Sequence, residues 1–307
     1  MTRSIGFSSP VLNFFGGESA SIEALRPGDI AFIGMPSDAT HTSRIGTRFG
    51  PRALRHETHH LMAALQREGQ GQLVDMTNEQ NCGLVNRHSL VDLGDAIINP
   101  LNIEQTIQSI AEMTRGSLLH GALPVAIGGD HFNSFPACLG VSEALMESEP
   151  DARFGYIQID GHLDFCDRLA AWGPYNHATN ARRCSELPNI RRENMVWIGI
   201  AGWVDGNDVA EIESFGGLIF SAEDVHRLGS REVARRAVAH AQPEGHVRPE
   251  TVDHLVGAQG GDGHASRPHR GGDGALLRAR RAGGPDARPL HAVRGQRSGR
   301  ISGRALR

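Results

Sequence analysis

Gly128-Gly129-Asp130-His131 and Asp160-Gly161-His162-Leu163-Asp164 are the two stretches whose residue types could do chemistry. Each follows an apolar run, Leu123–Ile127 and Phe154–Ile159, with the length and composition of a buried strand. Side chains alternate along a strand, so Asp160, His162 and Asp164 share one face if strand geometry continues through them. Two carboxylates and an imidazole, met by His131 at a second strand end, make the donor set of a metal site. It contains no thiolate, which suits a hard to borderline divalent ion such as Mn²⁺ better than structural zinc. Open parallel sheets place ligands beyond the carboxyl ends of their strands, where both stretches fall.

The elements that must position these residues are legible as far as Ala241. Strand-length apolar runs recur at Ile30–Ile33, Leu90–Leu93, Leu123–Ile127, Phe154–Ile159, Met195–Ile200 and Gly217–Phe220. Helical periodicity lies between them, over Pro51–Leu65, Ile103–Leu119, Ser134–Met146, Asp208–Phe215 and Arg231–Ala241. Strands alternating with helices predict an α/β fold of three layers, a mostly parallel sheet with helices on both faces.

The two motifs resemble the first two signatures of the ureohydrolases, the arginase and agmatinase family, which read Gly-Gly-Asp-His and Asp-Ala-His-x-Asp. Gly161 stands where Ala is usual, and Phe132 where Ser usually follows the histidine. Ile33-Gly34-Met35-Pro36-Ser37-Asp38 and Arg44-Ile45-Gly46-Thr47-Arg48-Phe49-Gly50-Pro51 are similar to the agmatinase-type opening. Asp92-Leu93-Gly94-Asp95 matches a further strand end, and Tyr175-Asn176-His177 looks like the loop bearing a substrate-side histidine. The likeness implies an amidinohydrolase that splits a small, agmatine-like guanidino compound into urea and an amine through a hydroxide bridging two Mn²⁺ ions. It also implies His131 and Asp164 on one ion, Asp160 and His162 towards the other, and His177 as the catalytic proton carrier. Trimers or hexamers are the expected assembly. A formimidoyl or acyl amide hydrolase on the same scaffold is the alternative, as is a non-catalytic remnant with a basic tail. Arg182 and Arg183 read as salt-bridge partners, and Asp130 as a supporting or capping residue.

The chain changes character near residue 242. No aromatic residue follows Phe220 and no Glu follows Glu250, while Gly, Arg, Ala, Pro and His dominate. Such a composition cannot bury enough apolar surface to offset its ordering entropy. The expected organisation is therefore an incomplete catalytic domain over 1–241 and an aberrant, unstructured Gly/Arg-rich tail over 242–307. The resemblance places a third signature here, Ser-x-Asp-x-Asp with two more metal aspartates, then a Gly-Thr-Gly loop. Only Thr251-Val252-Asp253-His254-Leu255 is found. Codons for Asp262-Gly263-His264-Ala265 read one base later permit Thr-Gly-Thr-Pro, which points to a frameshift.

Composition bounds the rest. The chain has 307 residues and a net charge of −4, which argues against a nucleic-acid binder. All 31 of its basic residues are Arg. Cys82, Cys138, Cys166 and Cys184 show no metal or redox spacing, and Cys166 reads as a packing residue. No apolar run has membrane-spanning length and no targeting segment is evident, so a cytoplasmic protein without membrane or nucleic-acid partners is expected.

Overall fold

The computed structural model describes residues 12–42, 44–67, 74–75, 80–81 and 89–242. Apart from Gln242, the tail expected over 242–307 lies outside the described residues. The strands are β1 (Glu18–Ser19), β2 (Ile30–Met35), β3 (Val74–Asp75), β4 (Gln80–Asn81), β5 (Leu90–Asp95), β6 (Leu123–Gly128), β7 (Phe154–Ile159), β8 (Ile190–Ile200) and β9 (Leu218–Ser221). The helices are α1 (Gly50–Arg67), α2 (Ile103–Leu119), α3 (Ser134–Ser148), α4 (Asn180–Ser185), α5 (Gly206–Ser214), α6 (Ala222–Leu228) and α7 (Ser230–Ala241).

The parallel strands lie in two sheets, ordered β1-β5-β2-β6 and β7-β8-β9, beside a short antiparallel pair, β3-β4. Among the described residues β6 pairs only with β2, and β7 only with β8. On β7, Ile157 and Ile159 share one face and are 40% and 80% exposed, beside a backbone edge that is unpaired among the described residues. Such an edge is an aggregation hazard.

Strand alternation explains the layers. On β8, Met195 and Trp197 point into one core with Phe132, Phe165 and Ile212, while Val196 points into another with Val233 and Ala237 of α7. Helices therefore cover both faces of this sheet. On β2, Ile33 and Met35 pack with Ile110 of α2, and Phe32 turns to Phe14 and Phe15 on the opposite side.

α2 occupies Ile103–Leu119, as its periodicity predicts, and Asn102 caps it by accepting from the Gln105 N–H at 3.1 Å. Gly140 of α3 lies against the Ala111 carbonyl of α2, a closeness any Cβ would prevent. β8 begins at Ile190, before the predicted Met195, because polar Arg191–Asn194 mask its start and the register slips between Phe154 and Tyr156. α6 escapes a periodicity search because it is short. Its signal is the Ser221/Asp224 capping box. Among the described residues no helix is long and apolar enough to cross a membrane.

Candidate metal centre

Both motifs sit at strand ends. β6 closes at Gly128, and Gly129 turns the chain with φ 25° where a Cβ would strike the carbonyls of Met35 and Ser37. His131 opens a turn of 3₁₀ helix leading into α3. Asp130 is buried, donates its N–H to the Ser37 carbonyl at 2.7 Å, and accepts from Thr40 N (3.1 Å) and Oγ1 (2.7 Å). Burial lifts its carboxyl above the usual range, against the pull of the Thr40 hydrogen bonds and the nearby His177.

The second motif departs from the sequence expectation. Strand β7 ends at Ile159, and the chain bends through residues 160–162. The Asp160 side chain bends it by accepting the His162 N–H at 2.8 Å, while Gln158 Nε2 donates to the His162 carbonyl at 3.0 Å. Asp164 takes φ 48°, left-handed backbone that a non-glycine residue holds only under constraint. Trp197 supplies some of that constraint, its Nε1 donating to the Leu163 carbonyl at 2.9 Å. The alternation that would align Asp160, His162 and Asp164 is thus lost.

Geometry still gathers three of the four expected ligands. One potential donor atom each from His131, Asp160 and Asp164 lies within 4.8 Å of the others. His131 Nδ1 is 2.6 Å from Asp164 Oδ2 and 3.2 Å from Asp160 Oδ2. His162 stays outside this group, its side chain 80% exposed and its Nδ1 3.3 Å from Asp160 Oδ1. Burial disfavours a charged His131, but the Asp164 hydrogen bond and the Asp164, Asp160 and Asp130 charges outweigh it, and its pKa rises.

His177 is brought to the same place from the loop before α4. Asn176 and Thr179, both fully buried, shape the turn: Asn176 Nδ2 donates to the Gly173 carbonyl at 2.9 Å, and Thr179 Oγ1 to the Pro174 carbonyl at 2.8 Å. His177 Nδ1 lies 3.0 Å from the Thr40 carbonyl and Nε2 3.2 Å from Thr42 Oγ1, and its ring stacks on His41 at 5.0 Å. Asn180, its amide oriented by its acceptors, donates to the His177 carbonyl (2.7 Å) and to Asp164 Oδ2 (3.1 Å). Sequence reasoning missed Thr40, Thr42 and Asn180, whose contacts are long-range or lie inside an irregular loop. The Asn176-x-x-Thr179 spacing was the one local clue to this turn.

His131, Asp160, Asp164, His177 and Thr42 line a cavity of about 480 Å³ whose remaining wall includes Cys166, Trp203, Asp205 and Asp208. Burial, with the repulsion of Asp205, lifts the Asp208 carboxyl. Burial and the Asp208 charge raise the Cys166 thiol, which keeps it protonated and a poor ligand. Arg182 and Arg183 are held in ion pairs, with Glu211 at 2.6 Å and Asp167 at 2.8 Å.

A parallel-stranded α/β scaffold with an acid/imidazole cluster at its strand ends defines the class. The arginase family model matches residues 28–248, most of the chain, and the chain belongs to that family. The match stops where the composition changes. The chain is 30% identical over 216 residues to a guanidinopropionase from Pseudomonas aeruginosa, covering 68% of this chain and 61% of that protein. Among solved structures it superposes on proclavaminate amidino hydrolase from Streptomyces clavuligerus with a TM-score of 0.59 at 23% identity, over 76% of this chain and 70% of that one. It superposes on formiminoglutamase from Trypanosoma cruzi with Mn²⁺ with a TM-score of 0.58 at 21% identity, over 70% and 67%. The chain spans about half the length of the curated relatives it matches, between 44% and 61% for the first two.

Proposed function

We propose that the site is that of a metal-dependent amidinohydrolase acting on a small guanidino compound. The observation that carries this reading is the convergence of His131, Asp160 and Asp164 within 4.8 Å in a cavity shared with His177. One imidazole and two carboxylates are hard to borderline donors and fit Mn²⁺. A divalent ion held by these three residues would supply Lewis-acid activation of water.

The chain's own residues do the rest. Asp164 is steadied by Asn180 and, with Asp160, offsets cationic charge at the reacting centre. His177 Nε2 takes a proton from the water that attacks the guanidinium carbon and returns it to the departing nitrogen as the C–N bond breaks. The products are urea and an amine. Among the described residues the cavity wall holds no arginine, and the sequence has no lysine, while Asp205, Asp208 and the exposed Trp203 ring face the ligand space. That wall favours a cationic tail, as in agmatine, over the carboxylate of a guanidino acid.

Among the described residues there is one such ligand group, enough for one ion. That is consistent with reading residues 1–241 as an incomplete catalytic domain. On this reading the chain as it stands is inactive or nearly so, and a version whose frame is restored after residue 241 gains the second half of the ligand set. The test is urea release from agmatine and from 4-guanidinobutanoate with added Mn²⁺, on both versions, with formamide release from a formimidoyl substrate assayed in parallel. Urea from neither version, or formamide in place of urea, would sink the proposal.

A further inference from the structure

We propose that Asp130 is a positioning residue for His177, acting through Thr40 to hold the imidazole in the tautomer with hydrogen on Nδ1 and the lone pair on Nε2. The catalytic meaning of this rests on the function proposed for His177. The tautomer itself does not.

Asp130 grips the loop before α1 at two points. Its N–H donates to the Ser37 carbonyl at 2.7 Å, and its Oδ2 accepts from both the N–H and the hydroxyl of Thr40. Asp130 and Thr40 are 4% and 5% exposed, so water offers neither a ready substitute. The same residue, Thr40, presents its carbonyl to His177 Nδ1 at 3.0 Å. A carbonyl only accepts, so Nδ1 must carry hydrogen. In the neutral ring Nε2 is then the free base. Its neighbour is the Thr42 hydroxyl, and both residues line the cavity. Free imidazole side chains in water favour the opposite tautomer, with hydrogen on Nε2, whose lone pair would here face the Thr40 carbonyl. Asp130 thus joins the first motif to the histidine loop without touching substrate, and it explains why an acid precedes His131 although it offers the ion no ligand atom.

The experiment is ¹⁵N spectroscopy of the histidine-labelled full chain before any divalent ion is added, at a pH where the ring is neutral. His177 signals are assigned by their loss in His177→Gln. The wild-type ring should show a protonated Nδ1 and an unprotonated Nε2. Asp130→Ala should move it to a mixture or to the Nε2–H form. Asp130→Asn keeps an oxygen acceptor for Thr40 and should restore the wild-type pattern. If Asp130→Ala does not fold, Thr40→Val, which removes only the hydroxyl donor, should shift the ring in the same direction. A wild-type Nε2–H ring, or a folded Asp130→Ala or Thr40→Val with unchanged signals, would overturn the proposal. Urea release is followed in parallel. Its absence in every version would end the amidinohydrolase reading while leaving the tautomer result to stand.

Discussion

His131 Nδ1 and Asp164 Oδ2 meet at 2.6 Å although one follows β6 and the other β7, strands of sheets that share no pairing among the described residues. The contact joins the two halves of the fold at the point where an ion would sit. It also sets how the site answers to pH.

Because Asp164 and Asp160 hold a proton on His131 beyond the usual histidine range, a divalent ion must displace that proton. Mn²⁺ binding should release a proton, and its affinity should fall as pH drops through the His131 pKa. Calorimetric titration in two buffers of unlike ionisation heat checks this, and identical heats would contradict it. Without metal the linkage favours the folded state in acid. The stabilisation is full below the unfolded histidine value of about 6.5 and is lost as pH rises through the raised folded value.

Losing a ligand should hurt metal binding more than losing its neighbour. His131→Ala or Asp164→Ala should weaken Mn²⁺ binding by more than ~100-fold, beyond the ~10–100-fold typical of an outer partner. His162→Ala, at an exposed side chain, should cost less than ~10-fold. Mn²⁺ titration followed by electron paramagnetic resonance separates the two. Equal losses would return His162 to the ligand set.

Asp92 and Arg55 make a buried pair, Oδ2 to Nε at 2.8 Å, with the guanidinium 4.0 Å above the Phe14 ring. Burial opposes the Asp92 charge, but Arg55 and the N–H groups of Phe14 and Gly94 outweigh it and lower its pKa. Its stabilisation is present above the unfolded aspartate value of about 3.9 and is lost as pH falls through the lower folded value. Asp92→Ala should cost about 1–3 kcal/mol in chemical denaturation near neutral pH, by leaving the Phe14 N–H unpaired and Arg55 with Asp95 as its remaining ion-pair partner. A loss within experimental error would show that Asp95 alone suffices to hold Arg55.

Asp208 on the cavity wall should act on binding and not on chemistry. In a version that releases urea, Asp208→Asn should raise KM for agmatine about two- to fivefold, the scale of a partly exposed charge pair, with kcat little changed. A guanidino compound of the same length with an uncharged tail should show no such change. Equal effects on both substrates would move Asp208 out of substrate recognition.

The sequence by itself determined six of the strands and five of the helices in their order, and the bounds of α2 and β7, and it singled out His131, Asp160 and Asp164 as candidates, because alternation and periodicity are local and motif residues sit at strand ends. It carried the family in the same motifs. It misplaced the face shared by Asp160, His162 and Asp164, since a side chain's own hydrogen bond to the His162 N–H bends the chain there, and periodicity is blind to such a bond. Only the tertiary structure decided that Thr40, Asn180 and Asp130 serve His177 and Asp164. Thr40 and Asp130 are 90 residues apart, and contacts of that reach depend on how sheets and loops pack together, which no local pattern records.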